Sequence, residues 1–288
     1  MAWTELTDCR CYYEILGQGD PLLLVPGLGV TCRTWDPVLP ELARHFTLVM
    51  VDNRGLGKSS PKRPPRTTAD YSTDLVELLD KLNLDRAHVM GLSLGGIISQ
   101  RFAVDHPSRV ERLVLVSCAD RFSAYLRQTA LVLKHALLRF KWEEFARAME
   151  LLGNSPEYVD ANERMVEQRI RDKCGGADID RRSVATQLRC LVSSELAPED
   201  YKILGPTLVI AGEDDRLIPA YYAKQMADKI PGSKFVSLPR CGHNPFQERP
   251  DEVLPKIVEF LKSRSPADIA GSAKGHANCT TVPVEQCV

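Results

Sequence analysis

The 288-residue chain lacks several features that mark specialised classes of protein. It has no excess charge of one sign, because 37 Lys and Arg residues nearly balance 38 Asp and Glu residues to give a net charge of −1. We therefore expect no binding to nucleic acid or to an anionic membrane surface. No run of about eighteen apolar residues occurs, so no transmembrane helix is predicted. The first eight residues contain neither a basic nor an apolar segment, which argues against a secretory signal.

Cysteine is present, but not in a pattern typical of disulfides or metal sites. The nine cysteines are an odd number with scattered spacing, which favours reduced thiols in a cytoplasmic protein. Cys9 and Cys11 have no His or Cys partner at metal-ligand spacing. We predict no metal site and no cofactor. The composition, with 44% hydrophobic and 26% charged residues, is that of a globular protein.

Short apolar runs alternate with helical patterns along most of the chain. The predicted strands cover residues 10–16, 21–25, 47–51, 87–91, 112–117, 206–211 and 234–238. The predicted helices cover residues 35–45, 70–82, 94–106, 221–229 and 252–262. This alternation predicts an α/β fold of right-handed βαβ units, with a mostly parallel sheet and helices on both faces.

The alternation stops at about residue 120 and resumes near residue 206. Residues 121–196 are charged, have helical spacing and are too numerous for a plain connection. We interpret them as a helical cap inserted into a core of residues 1–120 and 197–262. Residues 263–288 are rich in small and polar residues without periodicity, so we predict a disordered tail there.

Ser93 lies in a Gly-x-Ser-x-Gly pattern between a predicted strand and a predicted helix. Gly91 and Gly95 have no Cβ and permit a sharp turn, from which the serine hydroxyl projects beside a helix N-terminus. The backbone N–H of Leu94 is then expected to face a developing oxyanion. The Leu28 N–H, in a glycine-rich turn, is the expected second donor. A phosphate loop is the alternative for that turn, but the Lys-Ser/Thr of a P-loop is missing.

Acyl transfer by a serine requires a base to take its proton and a carboxylate to orient that base. His243 follows the last predicted strand and is the candidate base. The consecutive residues Glu213, Asp214 and Asp215 follow another strand. Sites collect at these strand ends in open α/β sheets. The pattern leaves the choice among the three carboxylates open, with Asp120 as a further alternative.

These residues together resemble the α/β-hydrolase superfamily, over about residues 11–262. The chain order of serine, acid and histidine is that family's order. Residues 52–59 are similar to its D-x-R-G-x-G-x-S loop, and Gly242-His243 followed by Glu248 is similar to its histidine segment. The resemblance implies an α/β-hydrolase fold, and the family's Gly-x-x-Asp spacing selects Asp215. Pro26 stands where many members have histidine, but the donor role of Leu28 belongs to the backbone.

Residues 91–96 and 109–115 are similar to the 3-oxoadipate enol-lactonase and esterase group. This similarity implies hydrolysis of a small carboxylic ester or lactone through an acyl-enzyme on Ser93. Dehalogenases and epoxide hydrolases of this fold carry aspartate at the serine position, so an alkyl-enzyme mechanism is not expected. The alternatives are a C–C bond hydrolase of dienoic ring-cleavage products and a ligand receptor that keeps the triad. We expect a small-molecule substrate and a monomer or homo-oligomer.

Overall fold

The computed structural model describes residues 1–175, 179–193 and 201–263. Its strands are β1 (Ala2–Glu5), β2 (Cys9–Leu16), β3 (Asp20–Val25), β4 (Phe46–Val51), β5 (Ser60–Pro61), β6 (Ala87–Leu92), β7 (Val110–Val116), β8 (Thr207–Gly212) and β9 (Lys234–Leu238). They form a single sheet in the order β1-β2-β4-β3-β6-β7-β8-β9, with β5 on β2. Strands β3, β4 and β6–β9 pair in parallel, whereas β1, β2 and β5 pair antiparallel. The predicted mostly parallel sheet is confirmed.

Eleven helices connect these strands in the described part of the chain. They are α1 (Leu39–Leu42), α2 (Thr68–Lys81), α3 (Leu94–Asp105), α4 (Ala124–Arg139), α5 (Trp142–Gly153), α6 (Pro156–Ala161), α7 (Glu163–Gly175), α8 (Arg181–Ser193), α9 (Ala220–Lys229), α10 (Pro245–Glu248) and α11 (Pro250–Lys262). None of these helices is long and apolar enough to cross a membrane.

The sheet is buried on both faces, which explains the continuous apolar run of β3. Successive side chains of a strand point to opposite faces. Leu23 packs in a cluster with helices α2, α3 and α9, whereas Leu22 and Leu24 pack in a second cluster with α1 and α11. The predicted placement of helices on both faces is therefore confirmed. Burial on both faces also fixes the strand ends in space, and the candidate catalytic residues follow those ends.

Two local predictions differ from the structure. The helix predicted for residues 35–45 is wrong: a 3₁₀ turn covers Cys32–Trp35 and only α1 follows. Pro37 and Pro40 have no N–H to donate, which interrupts a continuous helix here. Strand β1 was not expected, because its four residues are alternately exposed and half-buried and contain no apolar run. Pairing with β2 defines this edge strand.

Helices α4 to α8 lie between β7 and β8, where the cap was predicted. Many of their buried residues, among them Leu133 and Leu188, belong to the same apolar cluster as Leu115 and Val209 of the sheet. Ala146, Val166 and Ile170 form a separate small cluster. The division into a core and a cap at residues 121 and 196 stays a prediction. The predicted tail, apart from Ser263, lies outside the described residues.

Candidate active site

Ser93 occupies a sharp turn between β6 and α3. Its backbone has φ 56° and ψ −118°, a conformation that L-residues rarely adopt. The Ser93 N–H donates to the Val116 carbonyl oxygen of the neighbouring strand at 2.9 Å, which anchors the turn. A Cβ on Gly91 would overlap the Gly95 carbonyl, and a Cβ on Gly95 would overlap the Val25 carbonyl. The two glycines thus let strand, helix and neighbouring loop approach closely enough to hold the strained serine.

His243 and Asp215 form a close pair beside this turn. The Nδ1 atom of His243 lies 2.7 Å from Oδ2 of Asp215. The other carboxylate oxygen, Oδ1, accepts the backbone N–H groups of Leu217 and Ile218, each at 2.9 Å. The Asp215 side chain is fully buried, and that of His243 is 12% exposed. Every contact of the carboxylate therefore holds it in one orientation toward the imidazole.

The other acidic residues considered from the sequence lie elsewhere. Glu213 is exposed, and its Oε1 accepts the Ser237 hydroxyl at 2.9 Å. Asp214 is only half-buried, and Asp120 forms an ion pair with Lys229 on α9. Among the described residues, the structure thus brings Asp215, and none of these three, to the histidine.

The backbone N–H groups of Leu28 and Leu94 are available at the same place. Neither makes a hydrogen bond with a described residue. Leu94 is the first residue of α3, so its N–H has no partner within the helix. It lies at the positive end of the helix dipole, which favours negative charge nearby. Leu28 lines the same cavity as Ser93. Both groups are thus free to donate to an oxyanion there.

The D-x-R-G-x-G-x-S loop supports the turn that carries Leu28. Oxygens Oδ1 and Oδ2 of Asp52 accept the backbone N–H groups of Cys32 at 2.8 Å and Lys58 at 2.9 Å. The carboxylate thereby fixes the start of the loop. Asn53, the next residue, donates its side-chain N–H to the Pro26 carbonyl at 3.0 Å. The motif is therefore a scaffold for the glycine-rich turn.

Glu248 joins the histidine loop to the helices that follow β7. Its carboxylate oxygens accept the backbone N–H groups of Gly242 and Ser155, each at 3.0 Å. The His243 N–H in turn donates to the Gly153 carbonyl at 3.0 Å. The backbone around His243 is thus held by Gly153 at the end of α5 and by Glu248 of α10.

Ser93 and His243 line a shared cavity of about 160 Å³. Its apolar walls come mainly from α4, α5, α8 and the loop after Asp215: Leu126, Leu133, Met149, Leu188, Leu191, Leu217 and Ile218. Polar groups stand at Glu150, Asn154, Asn244 and Gln247. Within the described ranges, no cluster of His, Cys, Asp and Glu side chains is able to hold a metal ion.

Sequence reasoning missed the hydrogen bonds by which three residues hold the site together. Asn53 and Gln187 bind the two ends of the turn that carries Leu28, and Glu248 holds the histidine loop. Glu248 was part of the recognised histidine segment, but its two backbone partners were not foreseeable. Gln187 lies on a helix far along the chain, and nothing in its sequence neighbourhood distinguishes it from a surface glutamine.

Comparisons with known proteins identify the family of this chain. A model of the α/β-hydrolase fold matches residues 20–250. The chain belongs to the α/β-hydrolase family. It is 30% identical over 263 residues to "Putative carbamate hydrolase RutD" of Azorhizobium caulinodans, a match that covers 90% of this chain and 98% of the relative. The resemblance drawn from the motifs is confirmed. Membership of this family supports a hydrolytic enzyme.

Solved structures of other α/β hydrolases superpose on nearly all of this one. A hydrolase from Pseudomonas aeruginosa is 30% identical with a TM-score of 0.81, and the match covers 91% of this chain and 98% of that one. The enol-lactonase from Burkholderia xenovorans is 25% identical with a TM-score of 0.81, and the match covers 91% and 100% of the two chains. The predicted α/β-hydrolase fold is confirmed.

Proposed function

We propose that this α/β hydrolase cleaves a small carboxylic ester or lactone through an acyl-enzyme on Ser93. The observation that carries the proposal is the 2.7 Å contact between Asp215 and His243 at the cavity that Ser93 also lines. A buried carboxylate that binds Nδ1 keeps the proton there and leaves Nε2 free to act as a base. This arrangement matches what a serine nucleophile requires.

The proposed cycle uses only residues of this chain. Ser93 Oγ attacks the carbonyl carbon while His243 takes the hydroxyl proton. The N–H groups of Leu28 and Leu94 stabilise the oxyanion of the tetrahedral intermediate. Protonated His243 then gives its proton to the leaving alkoxide. It next removes a proton from water, which attacks the acyl-enzyme, and collapse of the second intermediate releases the acid and restores Ser93.

The cavity favours small substrates that are mostly apolar. An engineered protein cavity of about 150 Å³ holds one benzene molecule, so about 160 Å³ accommodates roughly one ring or a short acyl chain. Leucine, methionine and isoleucine side chains form most of the wall, and an ionised group placed against them would lose its hydration without gaining a partner. An uncharged ester or lactone fits both limits.

The named relatives support an ester or lactone and add a second candidate. The match to the enol-lactonase of Burkholderia xenovorans covers 100% of that chain and 91% of this one. The Azorhizobium relative carries the name of a carbamate hydrolase. A carbamate presents N–H donors beside its carbonyl, and Asn154, Asn244 and Gln247 provide amide groups on the cavity wall. Carbamate hydrolysis by the same serine is therefore the second candidate function.

A direct test compares wild type with Ser93→Ala. A fluorophosphonate probe is expected to label wild type and not the variant, and the loss in kcat on p-nitrophenyl acetate should be on the order of 10³ to 10⁶. Parallel assays with an enol-lactone, an aryl carbamate and a dienoic ring-cleavage product rank the substrate classes. Equal labelling of both proteins would overturn the serine mechanism.

Two alternatives from the sequence are resolved by the same assays. Fastest turnover of the dienoic substrate would indicate a C–C bond hydrolase. Turnover of all substrates below a few events per minute, combined with a ligand-induced change in melting temperature, would indicate a receptor. We expect ester or lactone turnover well above that rate, without a partner protein.

A further inference from the structure

The turn that carries Leu28 is held at both ends by amide side chains. On one side, Asn53 donates to the Pro26 carbonyl at 3.0 Å. On the other side, the Gly29 N–H donates to Oε1 of Gln187 at 2.8 Å. Asn53 follows β4 in the sheet, whereas Gln187 belongs to α8, 158 residues from Gly29. The orientation of the Leu28 peptide is therefore set jointly by the sheet and by a distant helix.

Gln187 is an unexpected residue at its position. It is completely buried, between Val184 and Leu188 on the apolar side of α8. Its Nε2 makes no hydrogen bond of ordinary geometry with a described residue, although the Tyr71 hydroxyl interacts with this side chain. Burying a primary amide with unused donors is unfavourable, and a leucine would pack there without that penalty. The bond to Gly29, at 2.8 Å, is the hydrogen bond of good geometry that compensates for this burial.

The backbone at Gly29 explains why this bond matters for the neighbouring donor. Gly29 has φ +65°, and a Cβ atom at this position would lie 3.4 Å from the methyl groups of Val184 on α8. A residue in the left-handed region turns the chain sharply, so a small rotation at Gly29 swings the preceding peptide units. Stabilisation of an oxyanion depends on donors that already point at the place where charge develops.

We propose that Gln187 is a positioning residue that sets the direction of the Leu28 N–H toward the oxyanion. The inference rests on the proposed serine hydrolase function and adds a residue that no sequence motif contains. Because this bond joins α8 to the turn, the position of α8 relative to the turn determines how well the tetrahedral intermediate is stabilised. Gln187 itself does not contact the reacting atoms.

The test uses Gln187→Met, which preserves length and approximate volume but removes the acceptor oxygen. The kcat on p-nitrophenyl acetate should fall about 10- to 100-fold, because a misdirected donor loses part or all of the stabilisation that the oxyanion gains from a well-directed donor. The KM should stay within about twofold, since the ground-state carbonyl depends little on this donor. Inhibition by an aliphatic trifluoromethyl ketone, which forms a tetrahedral adduct with the serine, should weaken by the same factor as kcat/KM. Gln187→Glu retains an acceptor and should recover most of kcat.

Cys190→Ala is the matched control on the same helix. The buried Cys190 thiol donates to the Pro65 carbonyl at 3.3 Å, so this change loosens α8 without touching Gly29. It should leave kcat within about twofold. The proposal is wrong if Gln187→Met keeps wild-type kcat, or if Cys190→Ala loses as much as Gln187→Met. Should Gln187→Met not fold, Gln187→Asn, one methylene too short to reach Gly29, must show the same loss of kcat.

The proposed function and the role of Gln187 can be refuted separately. If wild type neither hydrolyses the ester nor reacts with a fluorophosphonate, the proposed function fails and the role of Gln187 fails with it. If wild type does both and Gln187→Met is indistinguishable from it, only the positioning role is refuted.

Discussion

Replacing Asp215 by asparagine tests the orientation of His243 most sharply. Oδ1 of Asp215 accepts two backbone N–H groups, from Leu217 and Ile218, at 2.9 Å each. An asparagine must therefore place its oxygen at the Oδ1 position, because an NH₂ group there would face two donors. Its NH₂ group then faces Nδ1 of His243 at the 2.7 Å position now held by Oδ2. Nδ1 must become the acceptor, and the ring proton moves to Nε2.

With its proton on Nε2, His243 cannot accept the Ser93 proton. We expect Asp215→Asn to lower kcat by about 10⁴, which corresponds to about 5.4 kcal/mol at 1.36 kcal/mol per decade. The variant should fold normally, since its shape and its two backbone hydrogen bonds are kept. Single-turnover kinetics with p-nitrophenyl acetate, alongside thermal unfolding, measure both effects.

Asp214→Asn is the matched control, one residue away and half-buried. It should cost less than tenfold, as for a solvated carboxylate. A larger loss for Asp214→Asn than for Asp215→Asn would refute the assignment of the acid. If neither change matters, a carboxylate does not orient His243, because the two remaining alternatives, Glu213 and Asp120, bind Ser237 and Lys229 instead.

Three further predictions follow from the strain, the thiols and the cavity wall. Because residue 93 has φ 56°, Ser93→Gly should unfold with a free energy about 1 kcal/mol higher than Ser93→Ala in urea titrations; equal stabilities would show that the turn is unstrained. Burial, with a smaller contribution from Asp52, raises the pKa of the Cys32 thiol to about 12, so only about 1 in 10⁴ molecules carries that thiolate at pH 8. Iodoacetamide should therefore leave Cys32 unmodified in mass spectra and the activity unchanged, with urea-unfolded protein as the control. Rapid inactivation through this residue would contradict its burial. Leu133 lines the cavity, so Leu133→Ala should raise kcat/KM for p-nitrophenyl hexanoate relative to the acetate; a uniform change for both esters would place Leu133 outside the acyl subsite.

The regular α/β part of the fold was predictable because burial on two faces leaves a clear signal. The apolar runs of β3, β4 and β8 were recognisable without neighbours, since each lies between two layers of helices. The edge strand β1 has no such signal, because its side chains are alternately exposed and half-buried. Its conformation depends on pairing with β2, which is a tertiary contact.

The candidate catalytic residues were predictable to the extent that chemistry restricts residue type. Ser93 and His243 stand in recognisable patterns at strand ends, and family spacing chose Asp215 among three carboxylates. The residues that hold the turn carrying Leu28 were not predictable. Asn53 and Gln187 each make a single hydrogen bond to a backbone atom. Because every residue has such backbone atoms, the residue type of the partner does not reveal the contact.

The carboxylate of Glu248 bridges the loop before His243 and the first turn of α6. One acidic side chain thus links the loop of the base to the segment between α5 and α6. If the helices after β7 swung outward as a hinged lid, they would either break this bridge or drag the histidine away from the serine. The position of the catalytic base is therefore coupled to the position of these helices through the two hydrogen bonds of Glu248.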